Sequence, residues 1–166
     1  MCFIGIITDE KSKKYINKID KEQFKDCTFK IVYITDNNIE NMKHIRFDTI
    51  VINKKINNID VLRDILKSAK YIIINSDLNI NLNILKVYNC LVITYGFNSK
   101  STITMSSNTL DSVQICIQRS IQNKKSKIEQ QEISLIKENQ VDTYDIMLLI
   151  AILLIYNNEI IALLKL

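Results

Sequence analysis

TIVINKKINNIDVLRDILKSAKYIIIN, residues 49–75, places a strand, a helix and a second strand in succession, and its reading decides the fold. Thr49 to Asn53 reads as a strand, Ile59 to Ala69 as a helix and Tyr71 to Asn75 as a strand. Ile72-Ile73-Ile74 is apolar without alternation, which fits a strand buried on both faces. A strand, helix, strand unit closes with a right-handed crossover and makes two parallel strands. Upstream, Met1 to Thr8 reads as a strand, Ser12 to Lys25 as a helix, Thr28 to Thr35 as a strand and Asn38 to Ile45 as a short helix. Downstream, Asn79 to Tyr88 reads as a helical connection, and Leu91 to Tyr95 as a strand whose Leu91-Val92-Ile93 run also suggests burial on both faces. The first half is therefore α/β, with a mostly parallel Rossmann-like sheet.

The pattern changes after Gly96. Ile103 to Ser106, Ser112 to Arg119 and Ile128 to Ile136 are short or alternating apolar runs between polar turns, the signature of antiparallel strands. Val113, Ile115 and Ile117 share one face, opposite Gln114, Cys116 and Gln118. An apolar helix from about Asp142 to Tyr156 follows, then a short apolar stretch, Ile160 to Leu166. The unbroken run Ile146 to Tyr156 falls well short of the roughly 20 residues that span a bilayer, and Asn157-Asn158-Glu159 interrupts it. It reads as a core helix, with no membrane span. Residues 1–166 are taken as one domain: a parallel part over about 1–98, antiparallel strands over about 101–138 and terminal helices over about 142–166.

Composition narrows the function. The chain has 166 residues, 47% of them apolar and 24% charged, which is the balance of a folded globular domain. It contains two glycines and no proline, so glycine-rich phosphate loops and dinucleotide fingerprints are excluded. The formal charge of +4 is scattered among carboxylates, and arginine occurs only at positions 46, 63 and 119. Abundant Lys, Ile and Asn read as the codon bias of an AT-rich bacterium. Nucleic-acid recognition favours arginine forks beside exposed aromatics, so no nucleic-acid partner is expected. Cys2, Cys27, Cys90 and Cys116 are widely spaced, and His44 is the single histidine. No metal site is expected from that set, and reduced thiols in a cytoplasmic protein follow. The start, MCFIGIITDEKSKK, reverses the charge order of a signal peptide.

Gly5-Ile-Ile-Thr-Asp-Glu10-Lys11-Ser12 has the glycine, lysine and serine of a phosphate loop at the right spacing. Glu10 stands where the second glycine must be, bringing a Cβ and a negative charge to an anion site. A strand-to-helix turn with Lys11, Lys13 and Lys14 in solvent is the expectation. Asp9, Asp36, Asn53, Asn75 and Asp77 fall at or just beyond strand C-termini, where open α/β sheets hold ligands. The same residue types also end strands and cap helices, and both readings stand. His44 has no nucleophile or carboxylate at an informative spacing, so no catalytic residue is assigned.

Three segments in order, Asp48-Thr-Ile-Val-Ile-Asn53, Ala69-Lys-Tyr-Ile-Ile-Ile-Asn75-Ser76-Asp77 and Leu91-Val-Ile-Thr94-Tyr95-Gly96-Phe97-Asn98, resemble the latter part of the ATP-binding central domain of Mur ligases. In that family a strand ending in Thr-Asn, a strand closing on Asn-Ala-Asp-Asp and a strand ending near Thr-Phe/Tyr-Gly precede antiparallel strands and an apolar helix. Here Asp142-Thr-Tyr-Asp145 opens that helix. The resemblance covers about Asp48 to Tyr156 and rests on order and spacing. It implies a Mur ligase-like fold, and by its departures a pseudoenzyme. The phosphate loop is missing, and the carbamylated-lysine position falls near Leu62, with Lys67 and Lys70 close by. The two adenine-side asparagines fall on Asp142 and Asp145, the histidine on Val141 and the glycine on Asn139. No histidine follows Asn53, and the flanking substrate and amino-acid domains have no counterpart in these residues.

Only Asn75 and Asp77 carry over as cofactor-site matches, with the expected role of shaping the loop after their strand. No bound cofactor is expected. The resulting expectation is a non-catalytic protein-interaction or regulatory module, in cell-wall or sporulation biology as the resemblance implies, with self-association or a protein partner. The alternative is a small nucleotide- or Mg²⁺-binding enzyme or sensor using Asp9, Asp36 and Asp77.

Overall fold

The computed structural model describes residues 2–24, 27–78, 85, 88–123, 126–137 and 141–156. The chain opens with β1 (Cys2–Ile7), α1 (Glu10–Gln23) and β2 (Phe29–Ile34). A 3-10 turn over Ile39–Met42 leads to β3 (Thr49–Ile52), α2 (Ile59–Leu66), β4 (Tyr71–Asn75) and β5 (Leu91–Tyr95). Then come β6 (Ile103–Asn108), β7 (Ser112–Ile117), β8 (Ile121–Gln122), β9 (Lys127–Ile128), β10 (Gln131–Ile136) and α3 (Thr143–Tyr156). The expected helical connection at 79–88 and the stretch at 160–166 lie wholly or largely outside the described residues.

Eight strands form one sheet in the order β10-β7-β6-β5-β4-β3-β1-β2. Strands β2, β1, β3, β4 and β5 are mutually parallel, the doubly wound arrangement that the 49–75 stretch implies. Chain direction across the sheet reverses at β1: the first crossover goes outward to β2, and the next returns past β1 to β3. Helices consequently lie on both faces, and a crevice opens where the crossovers diverge.

Residue alternation along the strands sorts the core into two layers. Ile4, Ile6, Val51, Ile73, Ile93 and Tyr95 face α1 and α3. Ile50, Ile52, Ile72 and Ile74 face α2 and the 3-10 turn, meeting Leu62, Ile65, Leu66 and Ile39. Gly5 points to the second layer, where an added Cβ would stand 2.8 Å from both Ile34 Cδ1 and Ile50 Cδ1. A side chain at that strand position would require the Ile34 and Ile50 ends to shift.

Two strand expectations are corrected. Val92, beside Ile72 on the α2 face, is 41% exposed, because among the described residues the α2 layer covers Ile72 and Ile74 of β4 and stops there, and Leu91, on the opposite face beside Tyr71, is 47% exposed. The stretch from Ile128 to Ile136 is two strands: β9 pairs with β8 in a separate hairpin, and β10 pairs antiparallel with β7. As expected, β6 pairs antiparallel with β7, and it also meets β5 in parallel at Tyr95 and Ile103. The expected alternation of β7 holds, with Val113, Ile115 and Ile117 buried.

The terminal helix is enclosed along most of its length. Ile146 to Ile155 are all 0–1% exposed, against the sheet on one side, with Ile16 and Ile19 of α1 and Ile121 and Ile128 of the β8–β9 hairpin in the same cluster. Asn123 Nδ2 donates to the Leu154 carbonyl over 3.2 Å, tying the hairpin to the helix. No described helix is long and apolar enough to cross a membrane.

Leu149→Ala is expected to lower the unfolding free energy by about 2–5 kcal/mol, the range for a large-to-small change in a closed core. Val92→Ala on the exposed part of β5 should change it by under about 1 kcal/mol. Urea denaturation followed by circular dichroism measures both, and equal losses would contradict the burial assigned to these positions.

Candidate functional site

The strand C-termini gather the polar residues singled out from sequence, and the structure divides them into three groups. The first lies at the β1/β3 crevice. Asp9 caps α1, its Oδ1 accepting the Ser12 N–H at 2.9 Å, while its Oδ2 pairs with Lys54 Nζ at 3.2 Å. The Ser12 amide, and secondarily Lys54, hold its carboxyl below the usual carboxylate range. The N-terminal amides that could have cradled a phosphate therefore face a carboxylate from their own chain. Asp36, beyond β2, accepts from Asn57 N–H at 2.8 Å and Asn57 Nδ2 at 3.0 Å, which clips the β2 loop to the segment after β3. Between these groups lies an open crevice of about 400 Å³, lined among others by Thr8, Asp9, Asp36, Lys54 and Lys55.

The second group is buried behind the first. Asn53 is 1% exposed and uses its whole amide: Oδ1 accepts from Tyr95 Oη at 2.7 Å, and Nδ2 donates to Asp145 Oδ1 at 3.2 Å and Thr8 Oγ1 at 3.3 Å. Asp145, 3% exposed, is pushed up to about 6, chiefly by burial and against the hydrogen bonds from Ser12 and Asn53. Burial and the same carboxylate raise the Tyr95 hydroxyl well above its ordinary range. The buried Tyr15 hydroxyl has no hydrogen-bond partner among the described residues.

The third group follows β4. Asn75 Oδ1 accepts the Asp77 N–H at 3.0 Å. Asp77 then accepts from Phe97 N–H at 2.7 Å, Asn98 N–H at 3.2 Å and Tyr144 Oη at 3.1 Å. Gly96 sits between them at φ +149°, and a Cβ there would come within 2.6 Å of Asp77 Oδ2. Phe97 meets Tyr144 edge-on, with ring centroids 5.3 Å apart. Asn75 and Asp77 thus shape the loop after their strand and fasten it to the start of α3.

Asp9 and Asp36 share one crevice, whereas Asp77 stands in a different cluster. Among the described residues no three His, Cys, Asp or Glu side chains are placed to hold a metal ion. Leu62 is 2% exposed in the α2 core. Asp142 caps α3, its Oδ1 accepting the Tyr144 N–H at 2.9 Å. His44 is exposed in the turn preceding β3, at the opposite edge of the sheet. The four cysteines are half-buried and form no disulfide. Sequence reasoning missed Thr8, Tyr95 and Tyr144 as partners; the retrievable signal was Asn53 at a strand end and Asp145 opening an apolar run.

No protein-family model matches the chain, and no curated protein matches it.

Because the folded carboxyl of Asp145 sits at about 6 against 3.8 unfolded, the fold favours the protonated acid. Its stabilising contribution is complete below the unfolded value and is lost as pH rises toward and through about 6. Asp145→Asn keeps an oxygen for the Asn53 amide and removes the titration. At neutral pH the variant is expected to be more stable than the parent by about 2–3 kcal/mol, with a flatter stability profile between acid and neutral pH. Urea melts across that range decide it, and a neutral-pH loss of stability would contradict the assignment.

Proposed function

We propose that this chain is a non-catalytic relative of the Mur ligase central domain that works by binding a protein partner or a second copy of itself, in the cytoplasm. The observation that carries this reading is the Asp9 carboxylate at the N-terminus of α1, held by Ser12 and Lys54 where a ligase would need amides free for phosphate. Asp77, the main match to the family pattern, supports the same reading, since three intramolecular hydrogen bonds occupy it. Leu110 and Ile136 are 83% and 72% exposed, apolar surface of the kind that partners cover. The resemblance would put that partner in cell-wall or sporulation biology.

A second reading has its own observation. The crevice of about 400 Å³ holding Asp9 and Asp36 lies at the point where crossovers diverge, the usual ligand position of open α/β sheets. A small nucleotide or Mg²⁺-nucleotide sensor would use it. Asp77 has no part in that version.

Light scattering on a size-exclusion column is expected to give a mass above the 19.3 kDa of one chain at high concentration, or crosslinking should recover a specific partner. Thermal shifts with ATP, GTP or UDP-sugars, with and without Mg²⁺, should show no component that Asp36→Ala removes. A monomer without partner sinks the interaction reading. A reproducible nucleotide-dependent shift, abolished by Asp36→Ala, would establish the sensor in its place.

A further inference from the structure

A second recess lies at the opposite edge from the strand C-termini. It has a volume of about 600 Å³ and is formed by the 43–48 segment that enters β3 and the C-terminal turn of α2 through residue 70. Its walls are fixed. Phe47 is 1% exposed and anchors the first wall in the core, and its N–H donates to Ser68 Oγ on the second at 3.3 Å. The Asp48 carbonyl accepts both the Lys70 and Tyr71 amides, at 2.9 and 3.1 Å.

Four cationic side chains converge here, Lys43, Arg46, Lys67 and Lys70, against two lining carboxylates, Asp48 and Asp64. Lys43, Lys67 and Lys70 pair with Glu40, Asp64 and Asp48 at 2.6, 2.6 and 3.2 Å. Those pairs are largely exposed, and exposed pairs are weak enough to exchange for a stronger anion. Arg46 is exposed and makes no hydrogen bond or ion pair with any described residue, leaving its planar fork open. Each lysine has a carboxylate of its own, so Arg46 is the cation in excess, and the carbonyl end of α2 with its roughly half negative charge offsets it only in part. The crevice at the other edge is lined instead by three carboxylates, Asp9, Glu10 and Asp36, against Lys54 and Lys55. Attraction for anions thus lies at the edge opposite the one an open α/β sheet usually uses.

We propose that this recess binds a small phosphoryl-bearing anion of diphosphate size or larger, with Arg46 giving the bidentate contact and Lys43, Lys67 and Lys70 the surrounding charge. A recess of about 600 Å³ falls within the roughly 300–1,000 Å³ of small-molecule sites. The rigid backbone walls present the cations without first having to order a loop. This site is independent of the partner-binding reading and stands whether or not that reading holds.

Calorimetric titration of the full chain with inorganic pyrophosphate tests it. Saturable one-site binding that weakens with added salt is expected. Arg46→Glu and Lys67→Glu should each weaken it by about tenfold or more, and Arg46→Lys should weaken it through loss of the fork. Lys14→Glu, an exposed charge reversal on α1, should change affinity by less than about twofold. Circular dichroism melts confirm that each variant folds, and Arg46→Ala serves should the reversal disturb the loop. Absence of saturable binding overturns the proposal, and so does an equal loss in Lys14→Glu, which would mean attraction to overall charge. Cosedimentation with phosphatidylcholine and phosphatidic acid vesicles, in the absence of any pyrophosphate binding, also overturns it, because the ligand would then be a lipid surface.

Discussion

An α-helix with no polar side cannot rest on a surface; it has to be enclosed. Ile146 to Ile155 of α3 impose that constraint, and much of the architecture answers to it. Five parallel strands alone would leave part of this helix bare. The sheet continues through β6, β7 and β10, whose Ile103, Val113, Ile115, Ile117 and Leu135 extend the apolar face beneath it. The β8–β9 hairpin adds Ile121 and Ile128 to the same cluster, and α1 adds Ile16 and Ile19. The antiparallel half of the chain has a structural purpose in this light: it widens one face of the sheet until the helix is covered.

Enclosing α3 also buries the polar residue in its first turn. Asp145 cannot escape to water, and its carboxyl responds in two ways: it accepts the Asn53 amide and favours its proton. Asn53 in turn engages Tyr95 and Thr8, so the ends of β1, β3 and β5 and the start of α3 meet on one side chain. Beside this hub, Asp36 and Asp77 join neighbouring loops through exposed hydrogen bonds. The strand C-termini are thus strongly cross-linked by short polar side chains, and the carboxylates there hold backbone amides of their own chain.

The two edges of the sheet consequently differ in electrostatic character. Carboxylates end strands and cap helices at one edge, because Asp accepts amide hydrogen bonds in turns. Lysines and an arginine collect at the other, around the exit of α2, where a helix C-terminus favours positive charge. Arg46, the one cation there without an ion-pair partner among the described residues, separates this arrangement from a purely structural one.

Element order was legible in the sequence because period and run length are local properties. The 49–75 stretch yields β3, α2 and β4 with boundaries within three residues, and the run after Asp145 reads as a core helix. Burial of Leu91 and Val92 was not legible, since an apolar strand residue is covered only if some other element reaches it. The break between β9 and β10 was likewise hidden, because Ile128 to Ile136 contains no glycine or proline to mark it. For the site, the sequence alone determined that Asp and Asn would stand at the strand ends, since those residue types terminate strands. Only the tertiary structure decided their partners: Asn53 bonds across 42 positions to Tyr95 and 92 to Asp145. Such contacts depend on which strands lie adjacent in the sheet, and adjacency is set by the packing of helices on both faces rather than by any spacing along the chain.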